Sequence, residues 1–344
     1  MSIPVYTFFN NKGGVGKTTL LYNLAWMYRE LGLQVLMADL DPQANLTAAF
    51  LSDERLNEIF TAPSNHPPQT IYEAVQPLVD GTGDIVIPHV QSHPTVEALA
   101  LVAGDLRLAQ FEDSLSETWP KCLSGDARAL RITSAFWRVI QGAALEHAAD
   151  LILVDVGPNL GAINRAALIA TNYVITPLAP DLFSVMGLRN LGPRLASWRK
   201  EWQKRLDENV PSPFTLPSGE MQPIGYVVLQ YIKRLDRPVK AYEHWIKQIP
   251  HVYRDAVLNQ TTDQPITVEN DEYALSLLKH YASLMPMAQE ARKPVFLLKP
   301  ADGAIGSHLY AVQQSYREFE SLARAIASKS RLALPTPLSV EEAL

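Results

Sequence analysis

Apolar residues along this chain fall into short dense blocks set between polar loops, and the spacing inside the blocks alternates between two kinds. Residues 3–9, IPVYTFF, form a compact apolar run that reads as a buried strand, and a glycine-rich loop follows. Residues 17–31, KTTLLYNLAWMYREL, place Leu20, Leu24, Met27 and Leu31 at helical spacing, with Gly32 as a stop. Residues 33–41, LQVLMADLD, are a second buried run, ending in acid. Strand, glycine loop, helix and strand make a βαβ unit, which requires a parallel sheet. Further strand-like runs occur at 97–105, 150–157, 173–180 and 224–231, with helical segments such as 130–148 and 184–206 between them. This alternation predicts an α/β fold, a doubly wound, mostly parallel sheet flanked by helices, with ligands at the carboxyl ends of its strands.

Two proline-rich stretches, 61–70 and 209–223, read as surface excursions, because strands of the same character lie on both sides of each. Residues 1–330 are therefore expected to form a single domain, with 331–344 as a short tail. Residues 315–329 put Phe319, Leu322, Ala323 and Ile326 on one helical face, which suits packing on the sheet. That face is too small and alanine-rich for a membrane-targeting helix.

The composition is that of an ordinary globular protein, with 47% hydrophobic and 19% charged residues among 344. A formal net charge of −6 argues against a globally basic nucleic-acid coat but allows a local basic patch. Cys122 is the single cysteine, so one chain can build neither a disulfide nor a paired-cysteine metal or iron–sulfur site. The start of the chain lacks a basic segment before its apolar run, and no apolar run reaches the ~18 residues of a membrane span. A cytoplasmic protein is expected.

The chemistry concentrates at 10–19, NNKGGVGKTT. Gly13, Gly14 and Gly16 allow close backbone approach, and with the N-terminus of the helix from Lys17 they form an anion site. Asn11, Lys12 and Val15 complete the loop. Lys17 can reach the β- and γ-phosphates of a nucleotide, the Thr18 hydroxyl can ligate Mg²⁺, and Thr19 can reach the α-phosphate. The usual spacing G-x-x-x-x-G-K-[ST] fails at its first position, where Asn11 stands, and a second lysine, Lys12, opens the loop instead.

That loop, K-G-G-V-G-K-T-T, resembles the deviant phosphate loop of the ParA/MinD family of P-loop ATPases. MADLDPQANLT (37–47) resembles the family's second acidic motif, and LILVDVGPNLG (151–161) its Walker B strand, with Gly157 in place of a usual proline. Softer likenesses are TPLAPDLFSVMGL (176–188), GYVVLQ (225–230) and MPMAQEARKPVF (285–296). The resemblance implies a P-loop NTPase fold of ParA/MinD type and Mg²⁺-dependent ATP hydrolysis. It implies that Asp41 orients the attacking water, that Asp39 lies beside the Mg²⁺ shell and that Asp155 holds the ion through water. Gln230 stands where the family has an adenine-reading asparagine, and Pro286 and Met287 would approach the base. Lys12 would cross to the nucleotide of a second subunit, so that two ATP molecules are sandwiched in a homodimer.

Among switches of this kind, the leading expectation is a partition ATPase that binds DNA without sequence preference and is stimulated by a ParB-like partner. Arg194, Arg199, Lys200, Lys204 and Arg205 on one helix, and Lys233, Arg234, Arg237 and Lys240 after the 224–231 strand, are the candidate DNA contacts. The alternative is a positioning ATPase acting on another cargo, such as a protein complex, secretion machinery or a defence system. A MinD-like membrane organiser ranks low, because the tail RLALPTPLSVEEAL ends acidic with two prolines. An electron carrier of the nitrogenase-reductase kind needs two cysteines, and an autophosphorylating tyrosine kinase needs a tyrosine-rich tail that is missing after Tyr316.

Overall fold

The computed structural model describes residues 2–335 apart from 62–65, 123, 208–213, 232, 235, 236, 239, 262–264, 280 and 282; between 230 and 242 it describes backbone alone. The strands are β1 (Val5–Phe8), β2 (Val35–Asp39), β3 (Gln91–His93), β4 (Val96–Val102), β5 (Leu151–Asp155), β6 (Tyr173–Leu178), β7 (Gln222–Tyr231), the short pair β8 (Lys233–Arg234) and β9 (Arg237–Pro238), and β10 (Ala274–Lys279). Eight of them form one sheet in the order β10-β7-β6-β1-β5-β2-β4-β3. Within it only the edge pair β3–β4 runs antiparallel. The expected doubly wound, mostly parallel sheet is the fold observed.

The central strands are apolar at almost every position because both faces of the sheet are covered. Successive side chains point to opposite faces, so alternate residues feed two separate cores. Val5, Leu36, Ala38, Ile152 and Val154 enter one. Tyr6, Phe8, Val35, Met37, Leu151 and Leu153 enter the other. Each such fully buried aliphatic side chain is worth roughly 1.5–3 kcal/mol relative to exposure. A third, smaller core lies beyond β6 and β7, where Leu178, Val185, Leu188, Tyr226 and Val228 meet Ile246, Ile249 and Tyr253.

The helix Lys17–Glu30 covers the second core with Leu20, Leu24 and Met27, and ends where Gly32 takes a φ of 90°. The helix Ser307–Ser330 lies on the same face, with Phe319, Leu322, Ala323 and Ile326 buried as their spacing predicts. After it, Leu332 and Leu334 pack back on this core. Among the described residues no helix is long and apolar enough to cross a membrane.

Several elements differ from their sequence reading. The segment 130–148 is two helices, Ala127–Thr133 and Ala135–Glu146. The break falls at Ser134, whose hydroxyl donates back to the Leu130 carbonyl at 2.7 Å, a local bond that competes with helix continuity. The 97–105 strand stops at Val102, and Asp105 instead caps the short helix Leu106–Gln110. The edge strands β3, QSH, and β10, ALSLLK, are not among the strands read from the pattern; β3 carries no apolar run and β10 only a short one.

Candidate functional site

The carboxyl ends of β1, β5 and β2 lie side by side, with Phe8 and Asp39 both in register with Asp155. The glycine loop leaves β1 at this point. Gly14 and Gly16 hold φ values of 70° and 90°, a region that non-glycine residues rarely adopt. Asn10 pegs the loop at its start: its amide donates to the Pro177 carbonyl at 2.7 Å, and its side-chain oxygen accepts from the Lys12 N–H at 3.0 Å. The loop opens on a cavity of about 680 Å³, bordered by Gly13–Thr19 except Val15, by Asp41, Gln43 and Pro158, and on the far side by Met285, Gln289, Arg292 and Lys293. Arg292 and Lys293 are tied to Asp53 and Asp302, each at 2.7 Å. Lys17 is only 7% exposed. Burial pulls its ammonium pKa down, opposed by the charges of Asp155 and Asp41.

Asp155 is fully buried, and its Oδ2 accepts from the Thr18 hydroxyl at 2.7 Å. Its Oδ1 is buried without a partner, a costly state for a carboxylate oxygen unless another group uses it. A hydrated divalent cation beside Thr18 fits that oxygen. Among the described residues no cluster of three or more His, Cys, Asp or Glu makes a metal cage.

Asp39 stands in register with Asp155 at the end of β2. It is fully buried, and its Oδ2 accepts from the backbone N–H and the hydroxyl of Thr47 at 2.8 and 2.7 Å. A Cβ at Gly104 would lie 2.8 Å from its Cγ. Burial, reinforced by the neighbouring Asp155, pushes its pKa up to about 8. Asp39 thus anchors the 41–47 turn from behind, because the side chain points into the space under Gly104. Asp41 borders the cavity, and its Oδ1 accepts from Gln43 N–H at 3.0 Å in a local turn.

The loop after β5 is held by residues the sequence reading missed. Asn164, 1% exposed, donates to the carbonyls of Gly157 and Asn159 at 2.8 and 2.6 Å. Glu112 accepts from the N–H groups of Ala162 and Ile163 at 2.6 and 2.8 Å, capping the next helix from outside. A Cβ at Gly157 would sit 3.3 Å from Asp41 Oδ1, so this loop and Asp41 are in near contact. The available signal for Asn164 was an amide beside Arg165 at the start of the helical stretch AINRAALIA.

Lys12 is half-buried and ion-paired with Asp181, which precedes the helix Leu182–Asp207 and caps it through Ser184 N–H at 2.9 Å. On that helix Arg194, Lys200 and Lys204 are exposed. Arg205 is 2% exposed and Arg199 donates to the carbonyls of Glu220 and Met221, so both belong to the body of the protein. The side chains of Gln230, Lys233, Arg234, Arg237 and Lys240 lie outside the described residues. Met285, rather than Pro286 or Met287, borders the main cavity and the apolar slot beside it, where Leu229, Leu278 and Phe319 also stand. Cys122 is buried against the Thr133 hydroxyl at 3.1 Å, a structural thiol.

Comparison with known proteins agrees with this geometry. The family model described as an AAA domain matches residues 4–208. Sporulation initiation inhibitor protein Soj of Bacillus subtilis is 30% identical over 182 residues, covering 53% of this chain and 60% of Soj. Two IncC proteins of Escherichia coli and a replication protein A of Rhizobium rhizogenes are matched over less than half of their length. The fold is shared with protein DIP2308 from Corynebacterium diphtheriae (TM-score 0.70, 22% identity, 95% of this chain and 99% of that one). It is also shared with McdA from Cyanothece, solved as an ATP complex (TM-score 0.61, 15% identity, 97% and 99%).

Proposed function

We propose, from the premise that this chain belongs to the ParA/MinD family of P-loop ATPases, that it is a slow Mg²⁺-dependent switch whose ATP-bound form is a homodimer. One observation carries this reading: Lys17, Thr18 and Asp41 border one cavity at the carboxyl ends of β1, β5 and β2, and Asp155 stands behind Thr18 with its Oδ1 unused.

In this reading the loop N–H groups and the helix N-terminus hold the phosphates, and Lys17 stabilises charge that develops on the transferred phosphoryl oxygens. Its low exposure strengthens that attraction, because little water screens it. Thr18, and Asp155 through water, are the residues that would hold Mg²⁺, which neutralises charge on the β- and γ-phosphates. Asp41 orients the attacking water, with its carboxylate set by the local turn to Gln43 and by the loop at Gly157. Asp39 acts one step behind, fixing the turn that carries Asp41. Lys12 leaves its own subunit to complete the partner's site, as a finger supplied in trans.

The ATP dimer binds DNA without sequence preference through the exposed Arg194, Lys200 and Lys204, and a ParB-like partner accelerates hydrolysis in plasmid or chromosome partition. The chain acts in the cytoplasm, on the nucleoid. The test is DNA binding with ATP, with ADP and without nucleotide, repeated with Lys12→Ala, Lys17→Ala and Asp41→Ala. Binding that needs ATP and weakens steeply with salt is expected; ATP-independent binding, or none at any salt, refutes the partition role.

A further inference from the structure

The wall that faces the phosphate loop carries two cations, Arg292 and Lys293, and they are not held alike. The Lys293 ammonium reaches both carboxylate oxygens of Asp302, at 2.7 and 2.8 Å, and that carboxylate is only 13% exposed. Arg292 gives one guanidinium nitrogen to one oxygen of Asp53 at 2.7 Å, and the Asp53 side chain is 89% exposed. A single contact to a carboxylate in open water holds weakly, because solvent screens it. Asp53 opens the helix Asp53–Thr61, just past the helix Asn45–Phe50, whose Ala48 and Ala49 also border the cavity. The pair thus joins two walls of the cavity. We infer that Arg292 binds the nucleotide, giving up Asp53 for the α-phosphate, and that Asp53 is the internal competitor for its guanidinium. The inference rests on the nucleotide reading above and names a residue of that site outside the phosphate loop.

Three features favour this role. The first is the backbone. Arg292 ends the helix Met285–Ala291 in the left-handed conformation, with φ 48° and ψ 44°, at a position where helices commonly end on glycine. Any residue with a Cβ is strained there, and strain kept beside a ligand cavity points to a side chain that is used. The second is placement. The Tyr22 hydroxyl donates to the Arg292 carbonyl at 2.8 Å, and the Val295 N–H donates to Asn23 Oδ1 at 2.9 Å. Asn23 is 2% exposed, and its amide donates to the Thr19 carbonyl at 2.8 Å. The wall is therefore pinned to the phosphate-loop helix one turn past Thr19, about 6 Å along its axis. An arginine side chain anchored there is long enough to return to the phosphate at Thr19. The third is chemistry. A guanidinium offers a planar fork of donors that fits phosphate oxygens two at a time, a capacity that one exposed carboxylate oxygen leaves unused.

The experiment measures ATP and ADP affinity by calorimetry, and the melting temperature without nucleotide, for the full chain and for Arg292→Gly, Arg292→Lys and Asp53→Ala. ADP shares the α-phosphate with ATP, so Arg292→Gly is expected to weaken both by about ten-fold or more, the size of a lost hydrogen bond to a charged group. Its melting temperature should hold or rise, because glycine relieves the left-handed strain. Arg292→Lys keeps the charge without the fork and should fall between. Asp53→Ala should bind both nucleotides as the wild type does or up to about five-fold tighter, since the competitor is gone. If Asp53→Ala instead weakens binding as Arg292→Gly does, the pair only ties two walls together and the inference is overturned. Wild-type affinities in Arg292→Gly overturn it too and leave the nucleotide reading standing. A loss confined to ATP removes the assignment to the α-phosphate, and an Arg292→Gly protein that melts well below the wild type assigns the side chain to the fold; either overturns it. A full chain that binds neither nucleotide overturns both readings.

Discussion

Lys12 of the glycine loop is ion-paired within its own chain to Asp181, the residue that caps the helix Leu182–Asp207. A lysine proposed to act on a second subunit therefore has a partner to leave. The pair is about a quarter to a third exposed, at 26% and 33%, so its hold is that of a screened surface pair, at most ~1 kcal/mol. Asp181→Asn keeps the cap to Ser184 N–H and removes the charge. It is expected to shift ATP-dependent dimerisation toward the dimer by up to about five-fold. Light scattering across protein concentration measures this, and a shift toward monomer would show that Asp181 assists the dimer instead.

Lys17 and Asp41 should separate binding from chemistry. Lys17→Ala is expected to abolish ATP binding, since it removes the one lysine that borders the cavity from within the loop helix. Asp41→Ala should bind ATP normally and release no phosphate above background. Calorimetry and a phosphate-release assay distinguish the two, and normal turnover in Asp41→Ala would remove that residue from the mechanism.

Asn164 offers a test of the loop after β5. Replacing it with alanine leaves the Gly157 and Asn159 carbonyls without their donor, at a cost of about 1–3 kcal/mol in folding stability. Because Gly157 abuts Asp41, turnover should fall more than ATP affinity. A variant that loses stability but keeps the wild-type turnover number at saturating ATP would restrict Asn164 to holding the fold.

The acidic pair sets a pH dependence for the nucleotide-free protein. Asp39 ionises near ~4 when unfolded, whereas burial and the charge of Asp155 raise its folded value to about 8. Between these limits the folded protein carries a proton that the unfolded chain lacks. The stabilisation is full below the lower value and is lost as pH rises through the higher one. The melting temperature should fall between about pH 4 and about pH 8, and Asp39→Asn should flatten that slope. An identical slope in the variant would mean that other groups control it.

The sheet and the phosphate loop were legible because each rests on local information: continuous apolar runs for strands buried on both faces, and three glycines beside a helix start. What stayed hidden depends on contacts between distant residues. Asp39 and Asp41 stand two residues apart at a strand end, and the resemblance gives them different roles without showing their surroundings. Only the approach of Gly104 and Thr47 decides that one is buried behind the turn and the other borders the cavity. Arg205 and Arg199 read as members of a basic run, yet helical phase turns the first inward and the carbonyls before β7 capture the second. Asp181 lies in the family-like segment 176–188, but its link to Lys12 spans 169 positions and has no local signal.

The cavity takes one wall from residues 13–23 and the opposite wall from residues 285–293. On the ribosome these walls are made far apart in time. At roughly 5–20 residues per second, the loop emerges about 13–55 s before the segment that faces it. During that interval the nascent chain carries a phosphate-binding loop with no opposite wall, so nucleotide cannot guide the early steps of folding. It becomes a ligand that stabilises the protein only once the last quarter of the chain has been synthesised.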